Sequence, residues 1–368
     1  MRYLLCFSFI LATCALYAQS DRELSSEYFR AGDCEKATFY AEKALKDQFS
    51  KDLLVKYTDC LIKEQRWADA EAFFKKQIGK DQASQPFYNF QWGRMLTAQK
   101  KGAEAGRKFE SVLQAVNQRP DLYAQFIEDF RKIEEPDYAK KIVLTARESQ
   151  KNVHLFRLEL AGIYREAGET ENMIRELISY GSMIRNPEIV QNMLQDFLKE
   201  EKDGDILEKV LYENIQRNPN EVFYSELLIW HQVQKKDFYK AFMQERSLDK
   251  RLKNNGLRII ELSRLSLQNE DYANTLRMYE YLLKEYPKTE LYPYVRTMTI
   301  FVREQQARRS YPVDKDEVRK LIKDYESLLS EVGININSLE ALRNMALLYA
   351  FYLDDRQQSI ALLNRAIE

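Results

Sequence analysis

The chain has 368 residues, of which only 11 are Gly and 8 are Pro, while 45% are hydrophobic and 12% aromatic. A β-sandwich or barrel needs turn residues about every 8–12 positions, so this composition excludes an all-β fold. The apolar content also excludes a disordered chain. The 56 basic and 57 acidic residues balance, which argues against a general nucleic-acid binder. Scarce helix breakers favour continuous helical structure over the two domains that this length would usually predict.

The N-terminal segment, residues 1–18, has the three parts of a secretory signal peptide. Arg2 supplies a positive charge, an apolar stretch runs from residue 4 to residue 16, and Ala18 offers a small residue at the cleavage point. The segment resembles a bacterial export signal that is cut before Gln19. We therefore expect an extracytoplasmic protein, periplasmic after cleavage near Ala18.

Two alternatives to plain cleavage remain for this segment. Residues 11–14 resemble a lipobox that would lipidate Cys14, although Thr13 stands where that motif prefers Gly, Ala or Ser. Lipidation would associate the protein with a membrane, such as the outer membrane. The other alternative is a retained anchor, which the short apolar stretch disfavours.

The rest of the chain has a period of about 34 residues. Equivalent positions early in each predicted second helix recur every 33–35 residues, at Ala37, Ala70, Ala105, Ala139, Met173, Leu207, Ala241 and Thr275. Prolines, an unrelated residue class, follow the same period once or twice over, at Pro86, Pro120, Pro187, Pro219 and Pro287. Two independent residue classes with one period indicate a repeat architecture.

Each period reads as two helices joined by a tight turn. In the first, Tyr28 precedes a break at Gly32, and then Ala37, Ala41 and Ala44 share one helix face. These residues resemble the tetratricopeptide repeat, in which a helix, a turn, a helix with small residues and a proline follow one another. The resemblance implies an all-α fold, a right-handed α-α superhelix, with about eight repeats over residues 19–289. The fourth repeat (Phe130, Ala139, Ala146) and the sixth (Phe197, Leu207, Leu211) are degenerate.

Residues 290–368 predict two further degenerate helical repeats. A first helix spans residues 292–309, a loop follows at residues 310–314, and the tenth repeat starts near Ser338. The last helix reaches Glu368 without a cap, although terminal repeats normally present a polar outer face. We expect that the chain is cut short there or that its end docks onto something; a last repeat that caps itself is the alternative.

Cys34 and Cys60 are the cysteines that remain after signal cleavage. They lie on predicted helices of adjacent repeats, so a disulfide is conceivable in an oxidising compartment. Two small semi-buried thiols are the reading that we favour.

The sequence shows no constellation of catalytic or metal-binding residues. The two histidines, His154 and His231, lie far apart, and the sequence has no nucleophile elbow, zincin motif or phosphate-binding loop. Residues 203–205 (Asp-Gly-Asp) lack the remainder of a calcium loop and read as a turn. We expect no enzyme activity, no cofactor, no metal and no small-molecule substrate.

The first helix of each repeat is expected to line the concave wall of such a superhelix. The register places these side chains on that wall: Phe29, Ile62, Phe87, Phe90, Arg94, Leu158, Arg165, Trp230, Val233, Ile260, Arg264 and Leu267. Large apolar residues with interspersed Arg are typical of interaction hot spots. The alternative is that the aromatic residues pack between neighbouring first helices and meet no ligand.

Some relatives of this repeat family hold a C-terminal carboxylate with Lys and Asn side chains. The corresponding positions here carry Arg22, Ser26, Val55 and Asp59. No Asn is present and Asp59 would repel a carboxylate, so that function is not expected.

The sequence therefore predicts a scaffold or adaptor that binds a protein or peptide partner in a cell-envelope complex. An alternative is the extracytoplasmic sensor portion of a longer signalling protein, which would agree with the abrupt C-terminus.

Overall fold

In a computed structural model, the described residues 20–309, 313–336 and 338–367 form helices and contain no β-strand. The predicted all-α fold class is confirmed. The predicted signal peptide at residues 1–18 and the lipobox-like Cys14 lie outside these ranges, as do residues 310–312 of the predicted loop and Glu368. Within the described ranges, no helix is long and apolar enough to cross a membrane.

The chain forms two compact units, and the first ends at Gly168. Its helices are α1 (Asp21–Ala31), α2 (Cys34–Asp47), α3 (Lys51–Lys63), α4 (Trp67–Lys80), α5 (Gln85–Ala98), α6 (Gly102–Asn117), α7 (Tyr123–Lys132), α8 (Pro136–Ser149) and α9 (Arg157–Glu166). A 3₁₀ turn, Pro120–Leu122, precedes α7. Successive helices pack against each other around an aromatic-rich core that includes Tyr57, Phe74, Phe109, Phe126 and Phe130.

The second unit begins at Glu169. It contains α10 (Thr170–Ile184), α11 (Pro187–Phe197), α12 (Glu201–Arg217), α13 (Val222–Gln234), α14 (Phe238–Leu252), α15 (Leu257–Gln268), α16 (Tyr272–Glu285), α17 (Tyr292–Arg308), α18 (Lys315–Val332), α19 (Leu339–Leu348) and α20 (Arg356–Ile367). A π-helical turn, Tyr349–Leu353, continues α19. The sequence did not predict a boundary at residue 168, because the 34-residue period continues past that residue.

Helix pairs in both units turn through a single left-handed residue. Seven such residues recur with the predicted period, at Gly32, Gln65, Lys100, Glu134, Gly168, Lys236 and Glu270. The next residue donates its N–H to a carbonyl five positions earlier, as Arg66 does to Leu61 at 2.9 Å. This hydrogen bond pairs a carbonyl group that the last turn of the first helix would otherwise leave without a partner. The second helix then begins at once, so one residue with positive φ reverses the chain direction.

Small residues let the paired helices approach closely. Ala37, Ala70, Ala105, Ala139 and Ala241, which marked the period in the sequence, are all buried. In the third pair, a Cβ on Gly93 would lie 2.2 Å from Cε1 of Phe109, so this position in α5 has room only for Gly. The repeat pattern in the sequence therefore reflects contacts between helix backbones.

The sixth pair, α11 and α12, departs from this plan. Its connection, residues 198–200, contains no residue with positive φ and is extended at Leu198 and Glu200. The two helices barely touch each other, and each packs instead against α10 and α13. Residues 203–205, which the sequence predicted as a turn, lie in the first helical turn of α12, because the Asp203 carboxylate accepts the N–H groups of Lys199 and Glu200 at 3.2 and 3.1 Å. The degenerate sixth repeat is thus an open helix pair.

Candidate functional site

The aromatic residues predicted to bind a partner on α5 mostly serve the core. Phe90 is only 3% exposed, and its ring packs 5.0 Å from Phe130. Phe87 is half-buried between Phe49 and Phe126, with ring centroids 5.2 and 5.0 Å away. Phe90 is therefore not accessible to a ligand, because the neighbouring first helix α7 covers it. On α5, the aromatic residues pack between neighbouring first helices, which was the alternative to binding a partner.

On α15, Ile260 is also 3% exposed and belongs to the core, so its predicted role in binding is wrong for the same reason. Four further predicted residues are half-buried. Phe29 and Ile62 pack against the core of the first unit, and Val233 and Leu267 pack against the core that contains Ile260 in the second unit. These positions contribute mainly to stacking of the helices.

The predicted arginines are exposed to different degrees and engage neighbouring side chains. Arg94 donates to Asp59 at 2.8 Å and to Gln91 at 2.7 Å, which ties α5 to α3. Arg264 donates to Glu261 at 2.8 Å and lies over the Tyr294 ring. Arg165 and Leu158 lie on the surface of α9. Their role in binding a partner remains a prediction.

Cys34 and Cys60 form a disulfide, whereas the sequence favoured two free thiols. The bond is possible because Cys34 starts α2 and Cys60 lies near the end of α3, so adjacent helices bring the two Cα atoms to 5.4 Å. Sequence spacing alone did not establish this approach. The disulfide borders a groove of about 440 Å³ between α1 and α3, in which the predicted residue Phe29 takes part.

Trp230, a second predicted aromatic residue, also lines an open cavity. The cavity has a volume of about 330 Å³ and lies beside the open sixth pair, between α11, the start of α12 and α13. We call it the Trp230 pocket; its walls are Leu194, Gln195, Leu198, Lys199, Glu200, Glu201, Gly204, Trp230, His231, Gln234 and Lys235. It exists because α11 and α12 do not close into a hairpin.

The Trp230 pocket combines an apolar floor with charged edges. The half-buried side chains of Leu198 and Trp230 supply apolar surface, and the buried Leu194 lies behind them. Lys199 and Glu200 come from the extended connection, and Lys235 pairs with Asp205 at 3.2 Å. A cavity of this size with an apolar floor suits an apolar side chain of a protein or peptide partner.

His231 adds a buried polar group to the wall of this pocket. It is 6% exposed, and among the described residues its Nε2 has no hydrogen-bond partner. A Cβ on Gly204 would lie 3.1 Å from Cε1 of His231, so the absence of a side chain at Gly204 makes room for the imidazole. Burial, assisted by the positive charge of Lys235, lowers the pKa of His231 below its ordinary value of 6.5. The sequence placed His231 in no catalytic or metal-binding set, and Gly204 is the one sign in it that a ring approaches there.

The described residues contain no group of three or more His, Cys, Asp or Glu side chains arranged to hold a metal ion. What the Trp230 pocket offers is apolar contact, one imidazole and flanking charges.

No protein-family model and no curated protein sequence matches the chain. Among solved structures it is similar to the tetratricopeptide-repeat domain of P58(IPK), with 13% identity and a TM-score of 0.24 over 94% of this chain and 91% of that one. It is similar to yeast Tom70, with 11% identity and a TM-score of 0.27 over 94% and 83%. It is also similar to a structure of Naa15/Naa10 bound to HypK-THB, with 13% identity and a TM-score of 0.29. That match covers 93% of this chain and only 57% of the other chain.

Proposed function

We propose that this chain is an exported scaffold that binds other proteins through its helical-repeat surface, and that the Trp230 pocket receives an apolar side chain of the partner. The observation that carries the proposal is the open sixth helix pair, which leaves the indole of Trp230 half-buried at a cavity, while the predicted aromatics Phe87 and Phe90 are used in packing. Trp is among the residues most enriched at interaction hot spots. An apolar anchor that fills the pocket would remove this surface from water.

The disulfide supports the extracytoplasmic part of the proposal. Disulfides form and persist in oxidising compartments and are rare in the cytosol. The bonded Cys34 and Cys60 therefore agree with the signal peptide expected at residues 1–18. Mass spectrometry of the protein from its native cells tests this part: an N-terminus at Gln19 is expected, and a lipid-modified Cys14 or an uncleaved N-terminus would contradict plain export.

Selection of peptides from a displayed random library tests the binding part. We expect selected peptides to carry a Leu, Phe or Trp anchor and to bind Trp230→Ala at least about tenfold more weakly than the wild type, because truncation removes the wall of the pocket. Leu144→Ala is the matched control, since Leu144 is exposed on α8, is not among the predicted binding residues and lies outside the pocket. Peptides that bind both variants as well as the wild type would contradict the assignment of the pocket.

A further inference from the structure

A second groove lies in the second unit between α14 and α16, the second helices of the seventh and eighth pairs. It has a volume of about 720 Å³, and we call it the α14–α16 groove. Its walls are Tyr239, Phe242, Met243, Arg246, Lys250, Arg277, Glu280, Tyr281, Lys284 and Glu285. None of these residues belongs to the face that the sequence predicted for binding.

The groove is cationic although the chain as a whole is nearly neutral. It holds four cations and two carboxylates, an excess of two positive charges, whereas the formal charge of the full chain is −1. One carboxylate, Glu285, lies 3.8 Å from Lys250. Among the described residues, Arg246, Arg277 and Lys284 form no ion pair, in contrast to most other arginines of the second unit.

Aromatic rings lie against two of these three cations, Arg246 and Arg277. The Arg277 guanidinium lies 4.8 Å from the ring centroid of Tyr239, and the Arg246 guanidinium lies 5.9 Å from that of Tyr281. Nη1 of Arg277 also donates to the amide oxygen of Asn274 at 2.6 Å, so Arg277 presents only its remaining N–H groups to a carboxylate. Arg246, stacked on its ring, can bind a carboxylate through two N–H groups. Because the rings already restrict the side chains, binding costs less conformational entropy than it would for free surface arginines.

The groove also offers apolar contact beside the charges. Tyr239 is 47% exposed and Met243 is 36% exposed, on the same face of α14 as Arg246 and one turn apart from each other. The groove therefore presents both cations and apolar side chains. A partner that complements both would carry carboxylates on one side and apolar residues on the other.

We infer that the α14–α16 groove binds an acidic amphipathic segment of a partner protein. The inference rests on the proposed protein-binding function and adds a second surface and the chemistry of its ligand. Two neighbouring helices leave a groove into which the ridge of a third helix fits. Glu or Asp residues of that segment would pair with Arg246, Arg277 and Lys284, and its apolar residues would cover Tyr239 and Met243.

A peptide fits this groove better than a nucleic acid does. A nucleic-acid backbone places a negative charge at every nucleotide, so it would bring phosphates against Glu280 and Glu285. A peptide can place neutral residues opposite those carboxylates.

Fluorescence anisotropy with the full chain tests the inference. The probe is a labelled amphipathic peptide of about 18 residues, long enough to form a helix, with Glu on one face and Leu on the other. A second peptide carries Gln in place of each Glu. We expect the Glu peptide to bind at least about tenfold more tightly than the Gln peptide, and its affinity to fall as salt is added, because salt screens the ion pairs.

Matched variants locate the binding surface. Arg246→Glu/Arg277→Glu is expected to weaken binding of the Glu peptide by about tenfold or more, and Arg246→Gln/Arg277→Gln by a smaller factor. Lys76→Glu/Lys80→Glu changes the net charge equally on exposed residues of α4 and is expected to leave the affinity unchanged. An unchanged thermal midpoint for the Gln double variant separates lost binding from unfolding.

Three results would overturn the inference: equal binding of the Glu and Gln peptides, equal loss in the α4 control, or tighter binding of a single-stranded oligonucleotide than of the Glu peptide. Trp230→Ala distinguishes the two surfaces, because it is expected to leave binding of the Glu peptide intact. Failure of the α14–α16 groove would therefore be seen separately from failure of the Trp230 pocket.

Discussion

Single residues with positive φ determine how these helices pair. Five of the seven left-handed turn residues are not glycine: Gln65, Lys100, Glu134, Lys236 and Glu270. A left-handed conformation brings the Cβ of such a residue close to the following carbonyl, at a cost of about 1–2 kcal/mol. The hydrogen bonds of the turn and the packing of the two helices offset this cost. These positions are therefore places where stability can be gained.

Replacing Glu134 with Gly should stabilise the first unit. Gly removes the steric cost at φ 58° but increases the entropy of the unfolded chain, so we expect a net gain in unfolding free energy of about 0.5–1 kcal/mol. Urea unfolding followed by circular dichroism measures it. Glu128→Gly is the control: that residue is exposed inside α7, where Gly should only destabilise the helix. Equal effects at both positions would refute the explanation.

The buried imidazole of His231 makes stability depend on pH. Its pKa is lowered by burial and by Lys235, while Glu208 and Asp205 on α12 oppose the shift. Below about pH 6.5, His231 binds a proton in the unfolded chain but stays neutral in the folded chain. The unfolding free energy should therefore fall as the pH falls from 6.5 to the lowered pKa of the folded His231. Above pH 6.5 the contribution is constant.

His231→Gln should remove this slope, which cannot exceed about 1.4 kcal/mol per pH unit. Urea unfolding of both proteins across this window measures the difference. Parallel curves for the two proteins between about pH 5 and pH 7 would show that His231 does not contribute.

At the scale of helices, the disulfide connects the first two helix pairs. Cys34 and Cys60 are 26 residues apart, and the bond joins the start of α2 to the end of α3. A loop of that length corresponds to a stabilisation of about 3.5 kcal/mol through the entropy of the unfolded chain.

Replacing both cysteines with Ala should lower the unfolding free energy of the first unit by about 3 kcal/mol. Urea unfolding with and without a thiol reductant measures this, and the reduced wild type should resemble the variant. If the urea midpoint of the wild type were the same with and without the reductant, the disulfide would not stabilise the first unit.

The period, the helix pairs and the buried alanines were predictable because they are local and repeat. Ala37, Ala105 and Ala241 recur in the sequence where helices touch. The turn residues were not predictable beyond Gly32 and Gly168, since side chains such as Lys100 give no sign of positive φ. Binding residues such as Phe90 were misassigned, because register places a residue on a face without showing that the next helix covers that face.

The Trp230 pocket illustrates the same limit at a functional position. The sequence marked the sixth repeat as degenerate and selected Trp230, yet a cavity arises only because α11 and α12 remain apart. That separation depends on the conformation of residues 198–200, whose sequence has neither Gly nor Pro. The pairing of Cys34 with Cys60 likewise required the positions of two helices.

In the molecule as a whole, different parts of one repeated design present different surfaces. Regular pairs supply packing, the open sixth pair supplies an apolar cavity, and the α14–α16 groove supplies a cationic surface. Both surfaces lie in the second unit, which begins at Glu169. A partner with one apolar anchor and one acidic segment would gain avidity from using both.

Photo-crosslinking in the native cells tests the central claim of protein binding most directly. A photoreactive amino acid replaces Gln234, which is exposed at the edge of the Trp230 pocket. In a second variant it replaces Lys76, which is exposed on α4 and lies outside the Trp230 pocket and the α14–α16 groove. We expect irradiation to join the chain to one defined protein from position 234, to a much smaller extent from position 76, and not from position 234 when Trp230 is Ala. Equal crosslinking from both positions, or crosslinking that Trp230→Ala leaves unchanged, would contradict the account.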